Sequence, residues 1–208
     1  MGCKRKASDD RGRAGLIGGS NTVEWRPVES RKGQLLIASG RLLDPNFARS
    51  VVLIVQHDAD GVLGVILNRP LEMSVAEACG PMVEAAGEIE SAINQGGPCP
   101  GPLMVVHGDA DVGGDKIVDG IWFTAERDPI ERIMRADAEP AKYFANYSGW
   151  GLDQLEREIN EGSWIVTPAT PFDVFEAEPE THWNKLTARL TAGGYIKPEH
   201  IPDDPSMN

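Results

Sequence analysis

The sequence predicts a single domain of the mixed-sheet α/β or α+β class, and three observations support this prediction. At 208 residues, the chain has the length of one large domain with a tail. Short β-branched runs and capped helical segments interleave, but without the regular strand–helix–strand order that builds a doubly wound parallel sheet. The composition, 41% hydrophobic and 25% charged, is that of an ordinary soluble protein.

Strands are predicted wherever short apolar runs end in turn residues. Gln34–Ala38 is such a run and is typical of a buried strand. The runs Ser50–His57 and Gly61–Asn68 are rich in β-branched residues, and the turn sequence Asp58–Gly61 between them predicts an antiparallel hairpin. Four more strands are predicted at Leu103–His107, Asp119–Phe123, Lys142–Tyr147 and Trp164–Thr167.

Helices are predicted from capping residues and apolar stripes. Ser74 and Glu77 have the spacing of a capping box, in which each side chain bonds the other residue's free amide. Asp128, followed by Pro129, predicts a second helix that starts in the same way. That helix has an apolar stripe of Ile130, Ile133 and Met134. Three further helices are predicted after Gly151 as far as Gly162, from Thr170, and over Glu180–Leu190 with a stop at Gly193 and Gly194.

The segment Tyr147–Gly151 is predicted to be a strand end and a glycine turn that leads into a helix. Two glycines flank Trp150, and glycine permits positive φ or a close backbone approach beside the large ring. One interpretation is structural: Trp150 packs the helix against the sheet. The other is a turn whose free helix amides bind an anion. We favour the structural interpretation, because packing alone explains a wide aromatic residue between glycines.

Charge divides the chain into two predicted regions. Residues 1–32 hold eight basic and four acidic side chains and read as a disordered basic leader. That leaves 12 basic against 28 acidic side chains in the domain, residues 33–208, a net charge of −16. A domain with this negative charge repels a phosphate backbone, which argues against direct nucleic-acid binding. DNA binding through the leader remains the alternative, and it predicts a steep salt dependence that disappears when the leader is deleted.

The cysteines and the apolar runs indicate the compartment. Three cysteines (Cys3, Cys79 and Cys99) without a C-x-x-C pair do not form a disulfide framework, so we expect a cytoplasmic protein. No apolar run approaches the roughly 20 residues that cross a bilayer, which predicts no membrane insertion. Nothing near Cys99 in the sequence would activate its thiol, and we treat it as unreactive.

Several motifs occur together after residue 32. They are Asp44-Pro45-Asn46-Phe47 and Asn68-Arg69-Pro70 within the block Gly33–Pro70, Gly96-Gly97-Pro98, His107, Tyr147–Glu156, Gly162-Ser163-Trp164, and Asp173-Val174-Phe175 with Trp183. In order and spacing this set resembles the YqgE/AlgH family of bacterial proteins. The chain departs from the usual family pattern at Gly40, Asn94-Gln95, Gly101-Pro102 and Leu152-Asp153.

The resemblance implies a fold but does not imply a catalytic activity. It implies a single α/β domain with a mixed, partly split β-sheet flanked by helices. The AlgH name carries the label of a transcriptional regulator, and no enzyme activity, cofactor or metal comes with the family. The sequence contains no helix-turn-helix pattern, so a regulatory effect is expected to run through protein partners.

Polar residues at predicted strand ends and turns supply the candidate binding site. The best candidate is Arg69, which after a strand could clamp an anion bidentately. The alternative is that Arg69 holds loop carbonyls or Asp44. The full set of candidate binding residues is Asp44, Asn46, His57, Asn68, Arg69, His107 and Trp150.

An enzyme is the second hypothesis for the function. A hydrolase or small-ligand-binding protein would use a cleft near Asp44, His57, Asn68, Arg69 and His107. Ser50 lacks the Gly-x-Ser-x-Gly elbow of a nucleophile, and His57 and His107 lack the spacing of a metal-binding pair.

The sequence leaves open whether the protein is an enzyme and favours a non-enzymatic binding or regulatory module. That module would have a protein or small-molecule partner whose identity the sequence does not supply. We assign no catalytic residue, cofactor or metal, and the sequence predicts no oligomeric state.

Overall fold

The computed structural model describes residues 30–79, 89–136, 140–151 and 153–194. Residues 1–29 of the predicted leader lie outside this part of the chain, as does Leu152 of the predicted third helix. The strands are β1 (Gln34–Ala38), β2 (Val51–Asp58), β3 (Gly61–Ile66), β4 (Pro70–Ser74), β5 (Ala92–Gln95), β6 (Met104–His107), β7 (Asp115–Val118), β8 (Ile121–Thr124), β9 (Ala141–Ala145), β10 (Ser148–Trp150) and β11 (Trp164–Pro168). The helices are α1 (Val75–Cys79), α2 (Arg127–Ala136), α3 (Gln154–Asn160) and α4 (Pro179–Ala192), with a π-helical turn at Phe172–Glu176.

The first sheet has five strands in the spatial order β10-β3-β2-β1-β11, and every neighbouring pair is antiparallel. At its centre β2 and β3 form the predicted hairpin, with Asp58 opposite Gly61. A bulge between Ile54 and Gln56 shifts the register along β2. The hairpin prediction is therefore confirmed.

The second sheet has six strands in the order β4-β5-β9-β6-β8-β7. Its strands β5 and β9 are parallel, whereas its other neighbours are antiparallel. The strands are thus divided between two sheets, one of them mixed, and helices cover them. This arrangement confirms the predicted α+β class with a mixed and split sheet.

The two sheets face each other across a shared core. Leu35 and Leu53 from the first sheet and Val106 and Phe144 from the second belong to one buried cluster, which α4 joins through Trp183. The outer face of the second sheet packs on α1 and α2. The outer face of the first sheet packs on α3. Both faces of β2 are therefore buried from Val51 to Val55, which explains the unbroken apolar sequence of that part of the strand.

Two glycines join the sheets where the chain passes between them. Ile66 of β3 donates its N–H to the Gly96 carbonyl at 3.0 Å, and the Gly96 N–H donates to Ala145 of β9 at 2.8 Å. A Cβ on Gly97 would lie 2.4 Å from the carbonyl carbon of Tyr147. A residue without a side chain is required at that approach.

The first residues of α1 and α2 can be compared with the helix caps predicted from the sequence. The Ser74 N–H donates to the Glu77 carboxylate at 2.9 Å and the Glu77 N–H donates to the Ser74 hydroxyl at 3.2 Å, so the predicted capping box is confirmed. The start predicted at Asp128 is wrong, because α2 already begins at Arg127. Glu131 does not cap this helix and instead pairs with Arg127 and Arg135, each at 2.7 Å.

The strand predictions need two further corrections. Ser148–Trp150, predicted as a turn, is the edge strand β10, because these residues pair with Val62–Gly64 of β3. The short strands β4, β5 and β7 were not predicted from the sequence. Each has only four or five residues and includes polar ones, so its sequence lacks the longer β-branched run that indicates a strand.

Candidate functional site

The connection between β1 and β2 is shaped by its own hydrogen bonds. We call Arg41–Arg49 the 41–49 loop. One Asp44 carboxylate oxygen accepts the Asn46 N–H at 2.8 Å, which is the bond of an Asx turn. The Asp44 carbonyl accepts the N–H groups of Phe47 at 2.9 Å and Ala48 at 2.7 Å. Asp44 thus builds the loop, and the side chain of Asn46 stays exposed.

Asn68 and Arg69 hold this loop from the end of β3. The Asn68 side-chain oxygen accepts the Val51 N–H at 2.8 Å, and its amide nitrogen donates to the Arg49 carbonyl at 2.9 Å. Arg69 donates from Nη2 to the Ala48 carbonyl at 3.1 Å. Burial lowers the pKa of Arg69, and the charge of Asp44 opposes that shift. The bond to Ala48 is the contact expected if Arg69 holds the loop carbonyls. The other interpretation, in which Arg69 clamps an anion, stays a prediction.

Three aromatic rings fix the other side of the loop. The Phe47 ring centroid lies 5.9 Å from that of Trp150 and 5.5 Å from that of Trp164, and the two tryptophan rings meet edge to face at 5.9 Å. These separations fall in the favourable range for aromatic pairs. Phe47 therefore anchors the loop on the layer between the first sheet and α3.

Glu158 of α3 completes this aromatic cluster, a role that was not predicted from the sequence. One carboxylate oxygen accepts the indole N–H groups of Trp150 at 3.0 Å and Trp164 at 2.8 Å. The other accepts from Gln154 at 2.8 Å. Trp150 is buried in the cluster that contains Leu155 of α3. These contacts are those of the structural interpretation, in which Trp150 packs the helix on the sheet.

His57 lies at the opposite end of the first sheet. It faces Val62 across the hairpin, and Asn68 lies six positions beyond Val62 along the chain, an extended distance of about 20 Å. The His57 Nδ1 accepts the N–H of Arg31 at 3.0 Å. The Arg31 guanidinium in turn binds Glu156 of α3 through two bonds of 2.5 and 2.9 Å.

His107 lies apart from both the 41–49 loop and His57, on the outer face of the second sheet. Its neighbours Met104 and Val106 face the central core and Val105 faces outward, so the alternation of β6 turns His107 outward as well. The ring is fully buried beside the backbone of Asp109 and Gly113. Burial lowers the pKa of His107, and the nearby Asp109 opposes that shift.

The candidate residues therefore do not meet in one cleft of the described structure. Asp44, Asn68 and Arg69 gather at the 41–49 loop, whereas His57 and His107 lie elsewhere. Ser50 is near the loop, so the strand β2 separates its hydroxyl from His57 and no nucleophile–base pair forms. In the described ranges, no three His, Cys, Asp or Glu side chains are placed to hold a metal ion.

The 41–49 loop itself presents an apolar and basic surface. Leu43 is 83% exposed, the largest value among the exposed apolar side chains of the described residues. Arg41 and Arg49 are also exposed. Arg49 adopts a φ of 57°, and its guanidinium lies 5.7 Å from the ring centroid of Trp183. A non-glycine residue in this region costs about 1–3 kcal/mol, which the Asn68 bond and the cation–π contact help to offset.

Comparison with known proteins identifies the family. The AlgH-like family model (DUF179) matches residues 35–193. The chain belongs to the AlgH-like family. The UPF0301 protein CT0663 of Chlorobaculum tepidum is 34% identical over 184 residues, which are 86% of this chain and 96% of that protein. The UPF0301 protein SCO2948 of Streptomyces coelicolor is 37% identical over 190 residues, which are 87% and 97%.

Two solved structures share the fold. The solution structure of AlgH from Pseudomonas aeruginosa matches with a TM-score of 0.64 at 26% identity, and the match covers 88% of this chain and 94% of AlgH. The crystal structure of DIP2367 from Corynebacterium diphtheriae matches with a TM-score of 0.63 at 26% identity, and covers 77% and 87%. No helix in the described part of this AlgH-like chain has the length and apolarity to cross a membrane.

The role of Asn68 in this AlgH-like loop predicts a measurable cost. Asn68→Ala leaves the buried Val51 N–H without an acceptor, and we expect the free energy of unfolding to fall by about 1–3 kcal/mol in urea titration. Asn46→Ala is the matched control, because that side chain is exposed and its change should stay within about 0.5 kcal/mol. Equal effects of the two substitutions would contradict the holding role of Asn68.

Proposed function

We propose that this AlgH-like protein is a non-enzymatic binding module of the cytoplasm that acts through a protein partner bound at the 41–49 loop. The observation that carries this proposal is how Asp44, Asn68 and Arg69 use their polar atoms. Each bonds the backbone of the loop region, and together they hold Leu43 outward. Polar atoms that bond the loop backbone in this way stabilise the loop. We therefore favour a rigid contact surface over a catalytic centre.

The chemistry of the loop indicates the kind of partner. Leu43 offers one apolar anchor, and Arg41 and Arg49 flank it against the single carboxylate of Asp44. This is a locally basic spot on a domain whose net charge is strongly negative. We propose a protein with an apolar pocket and an acidic rim, because complementary charge directs the approach and the apolar anchor supplies affinity. Nucleic acid fits poorly, because the acidic body repels phosphates.

The rigidity of the loop supports a binding role. Its backbone is bonded by Asn68 and Arg69 on one side and anchored by Phe47 on the other. A surface ordered before binding loses less conformational entropy when the partner arrives. Cys79 is a buried free thiol, which fits a reducing compartment.

Substitution of the anchor tests the proposal. Leu43→Asp removes the apolar group and adds a charge that repels an acidic rim, so we expect at least a hundredfold loss of affinity for a purified partner. The free energy of unfolding should change by less than about 0.5 kcal/mol, because Leu43 is already 83% exposed. A partner is first recovered with the full chain as bait, then its affinity is measured by calorimetry with both purified proteins.

A second exposed apolar residue provides the control. Phe172 is 58% exposed at the π-helical turn, and Phe172→Asp introduces the same charge away from the loop. The proposal predicts that this variant retains the affinity. A partner that binds Leu43→Asp as tightly as the unchanged protein would refute the loop as the contact surface. Turnover of a small substrate by the purified chain would refute the non-enzymatic assignment.

A further inference from the structure

Lys142 of β9 and His182 of α4 form a second cluster of polar groups, which shares no residue with the 41–49 loop. His182 lies in α4 and is 2% exposed. Neither of its ring nitrogens bonds an atom of the described residues. An unsatisfied buried polar group costs about 1–3 kcal/mol, so such a group in a native protein requires an explanation.

Lys142 approaches His182 from the second sheet. Lys142 and Phe144 share one face of β9, and Phe144 belongs to the central core on which α4 packs. Lys142 is half-buried, and within the described ranges it makes no ion pair within 4 Å. Burial lowers the pKa of Lys142, and only the charge of Glu178 opposes that shift.

The charges that face His182 are mostly positive. They come from Lys142 on β9 and from Lys185 and Arg189 on α4, whereas among the described residues Asp173 on the π-helical turn supplies the carboxylate. That carboxylate is already engaged. It accepts from Arg189 at 2.9 and 3.2 Å and from the Thr170 hydroxyl at 2.8 Å. Asp173 therefore satisfies Arg189 and leaves Lys142 and His182 without a bonded acceptor.

We propose that Lys142 and His182 bind a small oxyanion, the carboxylate or phosphate group of a metabolite. The ammonium of Lys142 has three donors, and a protonated imidazole has a donor on each nitrogen. An oxyanion between them would satisfy both groups through charge-assisted bonds and would relieve the repulsion among the cations. This site is independent of the 41–49 loop, so the protein-binding proposal can fail without affecting it.

Acidification strengthens binding at this site. In the protein without a bound anion His182 is neutral, because burial and the charge of Lys142 lower its pKa to about 4. A bound anion favours the protonated ring, so binding takes up a proton and the affinity must rise as the pH falls. Screening of surface charge depends on ionic strength alone, so at constant ionic strength it predicts no such change of affinity with pH.

The test is a titration of the full chain followed by nitrogen-15 NMR of the histidine rings. The probes are inorganic phosphate and acetate, each added at constant ionic strength with chloride, at pH 7.5 and 6.0. We expect saturable shifts of the His182 nitrogens and at least threefold tighter binding at pH 6.0. A response to phosphate alone assigns a phosphate ligand, and a response to acetate alone assigns a carboxylate.

Substitutions of lysines test whether the anion binds at Lys142 rather than elsewhere on the protein. Lys142→Met should weaken binding about tenfold or more, and Lys142→Arg should retain it within a few-fold because the charge remains. Lys116→Met is the matched control, because this exposed lysine of β7 pairs with Asp119 and does not face His182, and it should change binding less than twofold. Shifts that never saturate, that chloride reproduces, or that Lys142→Met leaves unchanged would overturn the proposal.

Discussion

Trp150→Ala should lower the free energy of unfolding by about 3–5 kcal/mol, the usual cost of removing a buried tryptophan. Trp150 is 5% exposed, contacts the rings of Phe47 and Trp164, and donates to Glu158. Its loss leaves a cavity between the first sheet and α3. Urea unfolding followed by far-ultraviolet circular dichroism measures the change.

The same substitution should loosen the 41–49 loop. Phe47 then keeps only the Trp164 ring as an aromatic neighbour, so we expect faster amide exchange at Phe47 and Ala48, while the β1–β2 core stays protected. Trp150→Phe is the control, because it keeps an aromatic ring and removes only the donor to Glu158. We expect it to cost about 1–2 kcal/mol. A loss below 1 kcal/mol for Trp150→Ala would show that this ring does not hold α3 on the sheet.

Acid should destabilise the protein through His182 by about 3 kcal/mol. In the folded state burial lowers the pKa of His182 to about 4, whereas in the unfolded chain it has its ordinary value near 6.5. The unfolded state therefore binds the proton more readily. The stability that this residue contributes is complete above pH 6.5 and is lost as the pH falls from 6.5 to 4. Each unit of difference corresponds to about 1.4 kcal/mol, which gives the magnitude.

Replacement of His182 isolates this effect from other titrations. His182→Leu has no titrating group there, so the difference in unfolding free energy between the unchanged protein and the variant should follow the pH over that interval. Asp and Glu side chains, and His107, titrate in both proteins and cancel in the difference. Urea titrations at pH 7.0, 6.0, 5.0 and 4.5 provide the comparison. Parallel pH profiles for the two proteins would mean that His182 is not buried in its neutral form.

The hairpin and the capped helix illustrate what sequence alone predicts. The turn Asp58–Gly61 sits between two β-branched runs, and Ser74 and Glu77 are three residues apart, so both features depend on near neighbours. Strands β4, β5 and β7 were not predicted, because their sequences are short and partly polar. Strand β7 forms a hairpin with the adjacent β8, whereas β4 and β5 gain their hydrogen bonds from partners distant in sequence. The turn predicted at Gly149 is a strand for the same reason: the edge of β3 was free to pair with it.

The candidate site shows the same limit. The sequence indicated Asp44, Asn68 and Arg69, and the structure brings these three together at one loop. The sequence could not show that His57 and His107 lie in other places, because that depends on strand direction and on which face of β6 turns outward. Glu158 and His182 were not identified either, because a glutamate or a histidine in an amphipathic helix is ordinary until its buried neighbours are known.

The affinity of a purified partner for three variants tests the central claim most directly, namely that a braced loop is the surface by which this AlgH-like protein binds another protein. Calorimetry should show that Leu43→Asp abolishes binding, that Asn68→Ala weakens it several-fold by releasing the loop, and that Phe172→Asp leaves it unchanged. The same affinity for all three variants would contradict the claim.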